Sequence, residues 1–130
     1  MSTTPSSPTP HDQAQLQAGA LRVLKRNGRV VEYSDEKLAL ALSKAFQAVE
    51  GNSPAALEKI EAAVAEITRQ VGDRFRQRMP NGGTLHIEDI QDQVELTLMR
   101  GGHQRVVRAY VLYRQARAEE RARAAEDQQQ

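Results

Sequence analysis

The sequence predicts an α+β fold that is mostly α: a four-helix bundle capped by a small two- to three-stranded sheet, with a β-hairpin at the N-terminal end of the ordered part. Three observations predict it. An Asn27-Gly28 pair separates two β-prone runs. Four apolar stripes then recur at the three- and four-residue spacing of helices. Clusters of Gly, Pro and Asn at residues 51–54, 80–83 and 101–102 separate those stripes.

The hairpin comes first. Leu21-Arg22-Val23-Leu24-Lys25-Arg26 and Arg29-Val30-Val31-Glu32-Tyr33 flank Asn27-Gly28. A two-residue type I′ turn needs positive φ at both central positions, which Asn and Gly tolerate best. Ser34 or Asp35 then offers a cap oxygen, and Asp35 and Glu36 suit the positive end of a helix dipole. Leu38, Ala41, Leu42, Ala45, Phe46 and Val49 form the first stripe, which Gly51-Asn52 ends.

Ser53-Pro54 opens the second helix, with Ser as cap and Pro at the first helical position. Its stripe is Leu57, Ile60, Val64, Ile67, Val71 and Phe75, continuing to about Met79. Gly72 lies inside it and weakens it slightly. Thr84-Leu85-His86 follows a Gly pair and is expected to add a third short strand. The third helix runs from about Ile87 to Arg100, with Glu88 and Asp89 in its first turn and Gly101-Gly102 at its end. The fourth begins near His103, carries Val106, Tyr110 and Tyr113 on one face, and runs into a tail of Arg, Glu, Ala and Gln.

A chain of 130 residues with net charge +1 holds one domain and one core. We divide it into a disordered leader at 1–18, rich in Ser, Thr and Pro, a domain at 19–118, and a charged helical extension or linker at 119–130. The near-neutral charge speaks against a dedicated nucleic-acid binder. With no Cys there are no disulfides and no thiolate chemistry. No run reaches the roughly 18 apolar residues of a membrane span, and residues 1–10 lack the features of a secretion signal. A cytoplasmic protein without membrane contact is the expectation.

Catalytic constellations are missing from the sequence. There is no Walker A loop, no Gly-x-Gly-x-x-Gly and no paired-His motif, and His11, His86 and His103 are scattered. The expectation is a chain that is not itself an enzyme, without catalytic residues or a metal site. The informative cluster is Lys25-Arg26-Asn27-Gly28, with Lys37 one turn into the next helix. Two cations at a strand end and a third near a helix N-terminus could cradle a polyphosphate. The competing reading makes each a solvated guard of an edge strand. Arg114, on an apolar stretch of the fourth helix, could reach a phosphate through its fork or lie over the core with its head in water.

Three separated blocks of the sequence resemble the ATP-cone family. Val23-Leu24-Lys25-Arg26-Asn27-Gly28 through Lys37-Leu38 is similar to its opening, V-x-K-R-D-G and then a helix beginning near K-[IL]. Ile87-Glu88-Asp89-Ile90-Gln91-Asp92-Gln93-Val94-Glu95 continues the pattern, and Val107 to Arg114 closes it. The match covers about Leu21 to Arg117. Asn27 replaces the usual Asp, which keeps the turn chemistry and removes one negative charge.

The resemblance implies an allosteric domain that binds ATP or dATP and controls the overall activity of a ribonucleotide reductase through oligomerisation. The large subunit of a bacterial class I enzyme is the best fit. That subunit's catalytic part needs cysteines, so the chain is expected to be a regulatory domain or fragment. Its expected partners are the catalytic part of the large subunit, the radical-generating small subunit and further copies of itself. Mg2+ is the metal that would accompany the phosphates. Carried over by position, Val23 offers backbone contacts. Lys25, Arg26 and Lys37 meet the phosphates, Leu38 packs on adenine, Gln91 lies near the nucleotide, and Arg114 closes on the phosphates. Two other readings stay open: a helical protein- or nucleic-acid-interaction module built on the Arg-rich fourth helix, and a degenerate cone that binds no nucleotide.

Overall fold

Alternation along the first strand sets the sheet against the bundle. Leu21 and Val23 point inward and are buried, while Arg22 and Leu24 are half-buried. This is seen in a computed structural model that describes residues 20–129, with side chains described as far as Glu126. The expected leader at 1–18, and His11 within it, lie outside the described residues.

Among the described residues the chain order is β1 (Leu21–Leu24), β2 (Val30–Glu32), α1 (Asp35–Glu50), α2 (Pro54–Arg78), β3 (Gly83–His86), α3 (Ile87–Arg100) and α4 (Gln104–Gln129). The fold is therefore the mostly helical α+β arrangement the sequence predicts, with the third strand present. The sheet order is β2-β1-β3. β1 pairs antiparallel with β2, with Val23 opposite Val31. It pairs parallel with β3, with Leu24 opposite His86. The second pairing puts the end of β1 beside the start of α3.

The hairpin turn differs from the two-residue type I′ turn expected. Lys25 N–H donates to the Arg29 carbonyl at 2.8 Å, and Gly28 N–H donates to the Lys25 carbonyl at 2.9 Å. Three residues, Arg26 to Gly28, thus form the loop, with Gly28 at φ 87°. This is the other common short hairpin, a turn closed by one left-handed glycine. Asn27 serves it through its side chain, whose Oδ1 accepts the Arg29 N–H at 3.0 Å.

Caps start the first two helices as the sequence indicates. Ser34 Oγ accepts the Lys37 N–H at 3.2 Å, and Ser53 Oγ accepts the Ala56 N–H at 3.1 Å. Gly51, at φ 83°, ends α1. The core joins Leu38, Leu42, Ala45 and Phe46 of α1 to Ile60, Val64, Ile67, Val71 and Phe75 of α2. Ile90, Val94 and Leu98 of α3, Val106 and Tyr110 of α4, Leu21 and Val23 of β1, and Leu85 of β3 complete it. His103 packs its ring edge-on against Phe46, 5.1 Å between centroids. Leu57, expected on the α2 stripe, is instead exposed, and its neighbour Ala56 packs against the core in that turn. α4 runs without a break through the expected boundary at 118/119, and its side chains from Gln115 to Glu126 are exposed.

Candidate functional site

Two of the cations picked out in sequence, Lys25 and Lys37, lie near each other past the end of β1. Lys25 closes the hairpin and is half-buried. Partial burial holds its ammonium below the usual lysine range, and the charges of Arg121, Lys37 and Arg29 add to that depression. Arg29 of the hairpin, Lys37 of α1 and Arg121 of α4 therefore lie near enough for their charges to act on Lys25, just past β1, and the four make one cationic corner. Among the described residues none of these four is in an ion pair. Like charges gathered without an internal counter-ion repel one another, and an external anion relieves that repulsion.

Arg26 and Arg114 are placed differently. Arg26 Nε lies 3.0 Å from Glu88 Oε2, both side chains being more than half exposed. Glu88 is held below the usual carboxylate range by a backbone hydrogen bond and by Arg26. Arg114 Nη2 lies 2.8 Å from Glu95 Oε2, at 22% and 29% side-chain exposure. Its guanidinium sits over the Tyr110 ring, 5.3 Å from the centroid, and its buried Nε has no partner among the described residues. The first pair is exposed and easily exchanged. The second is more enclosed and harder to open.

The α3 residues involved lie on one stripe. Glu88, Gln91 and Glu95 are spaced i, i+3 and i+7, so they share a helix face. Gln91 is half-buried between the two carboxylates that hold Arg26 and Arg114. Val23 and Leu38 are core residues, 5% and 8% exposed. Val23 lies in the central strand, opposite Val31 on one side and Leu85 on the other. The α1 N-terminus is less open than the sequence suggests. Ser34 already caps the Lys37 N–H, and Asp35 and Glu36 add negative charge in the first turn.

Two clefts lie away from this corner. One of about 240 Å3 is lined by Ile67, Thr97, Arg100 and His103 among others. One of about 190 Å3 lies by Ala20, Glu32, Tyr33 and Arg76. Arg29, Lys37 and Arg121 are exposed, which suits a highly charged, solvated ligand better than an apolar one. Sequence reasoning missed Arg29, Glu88 and Arg121 as members of this corner. The signal that could have found Arg121 is the short Gly101-Gly102 turn, which folds α4 back along α3. Among the described residues no group of three or more metal-ligating side chains is assembled, and no helix is long and apolar enough to cross a membrane.

The family model described as the ATP cone domain matches residues 21–119. Ribonucleoside-diphosphate reductase subunit alpha of Chlamydia muridarum (strain MoPn / Nigg) is 37% identical over 113 residues, covering 84% of this chain and 10% of that protein. The subunit alpha of Treponema pallidum (strain Nichols) is 35% identical over 102 residues, 78% of this chain and 12% of its own length. The vitamin B12-dependent ribonucleoside-diphosphate reductase of Mycobacterium tuberculosis (strain CDC 1551 / Oshkosh) is 31% identical over 98 residues, with 75% and 12% covered. The chain thus spans about a tenth of the length of the curated relatives it matches.

Proposed function

The chain belongs to the ATP cone domain family, and from that premise we propose that it is the nucleotide-sensing domain of a ribonucleotide reductase, reading ATP against dATP. One observation carries the reading. Arg29, Lys37 and Arg121 lie near enough to Lys25 for their charges to depress it, and none of the four has an internal counter-ion among the described residues.

Lys25 and Lys37 meet the phosphates as point charges. Arg26 leaves Glu88 to join them, at small cost because both partners are solvated. The main chain near Val23 bounds the site, Leu38 supports the adenine, and Gln91 supplies a polar contact from α3. Arg114 closes on the phosphates after exchanging Glu95 for them. Mg2+, where it accompanies the nucleotide, is held by the phosphates themselves.

ATP and dATP differ only at the 2′-hydroxyl. A ligand with equal affinity for two states shifts neither. The two nucleotides therefore stabilise different arrangements of the bundle, and a coupling of about 1–3 kcal/mol is enough for a switch. The readout is a changed contact surface toward the catalytic part of the large subunit, the small subunit or a second copy, and so a changed oligomer.

Calorimetric titration with ATP, dATP, GTP and tripolyphosphate tests the reading, with Lys25→Ala/Arg26→Ala as control. The expected result is saturable binding of adenine nucleotides, tighter than GTP and lost in the double variant. No heat and no thermal stabilisation at millimolar ATP would sink it.

A further inference from the structure

The register of the α3–α4 hairpin brings the tail of α4 to the cation corner. Glu95 pairs with Arg114 across the two helices. Two turns toward the start of α3 from Glu95 is Glu88. Two turns toward the end of α4 from Arg114 is Arg121. In an antiparallel pair both steps run the same way, about 10 Å for seven residues. Arg121 therefore arrives level with Glu88, which holds Arg26 at the hairpin. Of the three cations whose charges add to the burial that depresses Lys25, Arg121 has the largest effect.

Arg121 is exposed and makes no ion pair among the described residues. Its neighbours Arg117 and Glu120 pair with each other at 3.3 Å and leave it free. Nothing apolar fixes this part of α4, since Gln115 to Glu126 are exposed. Beyond the continuity of the helix, what acts on the tail is charge, and with Lys25, Arg29 and Lys37 near Arg121 that charge is repulsive until an anion enters.

We propose that Arg121 is a further ligand of the anion bound at this corner, and that a polyphosphate seats the last turns of α4 against the β1–β2 hairpin. The inference rests on reading the corner as a polyphosphate site. It adds a ligand from outside the packed bundle and makes the tail of α4 responsive to the ligand. An arginine on an otherwise solvated helix can swing onto a phosphate without leaving a buried charge behind.

The test uses the 130-residue chain with tripolyphosphate and ATP, in wild type, Arg121→Gln, Arg123→Gln and Lys25→Ala. Arg123 is on the same tail but 200° further round the helix, as two residues at about 100° each dictate, so it controls for net charge. Affinity is read by calorimetry, and the ordering of residues 115–126 by amide hydrogen exchange. We expect Arg121→Gln to weaken tripolyphosphate about tenfold, or about 1.4 kcal/mol, and Arg123→Gln to leave it within about twofold. Both ligands should protect the tail amides in wild type and not in Arg121→Gln. Equal affinity in wild type and Arg121→Gln, with tail exchange unchanged by ligand, overturns the proposal. Equal weakening by Arg121→Gln and Arg123→Gln overturns it too. If Lys25→Ala still abolishes binding in either case, the site reading survives without this inference. Arg121-dependent binding of tripolyphosphate with no preference for adenine nucleotides keeps the proposal and removes the nucleotide reading. No binding of either ligand to wild type overturns both.

Discussion

At the residue scale, the candidate site is a competition between carboxylates and an incoming anion. Arg26 and Arg114 are each engaged by a glutamate of α3, and Lys25 and Lys37 by none among the described residues. Glu95 is the stronger brake, because its pair with Arg114 is the less exposed of the two. Glu95→Gln should release Arg114 toward the phosphates and raise ATP affinity about threefold, read by calorimetry beside wild type. That is a gain of roughly 0.65 kcal/mol. Unchanged or weakened binding would mean that Arg114 supports the bundle only. The cations at 25, 26 and 37 were legible in the sequence because they sit close together along the chain. The counter-charges of Arg26 and Arg114 were not. Glu88 and Glu95 look like any solvated helix carboxylates until the parallel β1–β3 pairing and the α3–α4 hairpin bring them across.

At the element scale, local chemistry made the helices readable, and close approach between them was not readable. The Ser34 and Ser53 caps and the glycine stops are set by neighbours in sequence, so they could be placed before any contact was known. The hairpin loop came out one residue longer because Lys25 bonds to Arg29 across the turn, a choice that Asn-Gly permits and does not dictate. Gly72 shows the other limit. In sequence it is a weak point of α2. In the structure a Cβ there would lie 2.5 Å from Arg76 Nη1 and 3.1 Å from Asp35 Oδ1. The glycine makes room for the Arg76–Asp35 bridge, 2.8 Å long, which ties the end of α2 to the start of α1. Gly72→Ala should gain about 1 kcal/mol of helix propensity and lose a half-exposed ion pair contributing roughly 0–1 kcal/mol. The net expectation is a small gain in urea stability, with faster amide exchange at the start of α1. A loss above about 1 kcal/mol would show that the bridge outweighs helix propensity there.

At the scale of the whole molecule, two phenols set the alkaline limit. Burial pushes both Tyr33 and Tyr110 up to about 12 from an ordinary 10.0, and the Tyr33 hydroxyl has no partner among the described residues. Between pH 10 and 12 the folded chain keeps protons that the unfolded chain has released, so stability falls as pH rises through that window. Lys25 works the other way. Its lowered value makes stability rise with pH just below its ordinary 10.5. Tyr33→Phe should flatten the alkaline fall in the thermal midpoint. It should also stabilise the protein near neutrality by about 1 kcal/mol, because an unpaired buried hydroxyl is removed. A fall as steep as wild type would place the alkaline transition on Tyr110 alone. The parallel pairing of β1 with β3 also bears on time. Leu24 meets His86 only after α1 and α2 have been laid down between them. The β1–β2 hairpin is local and can close in microseconds, whereas the third strand must return across more than sixty residues and closes a costlier loop. A growing chain therefore carries Lys25, Arg26 and Lys37 well before Glu88 and Arg121 exist to face them, so the corner is completed late in folding.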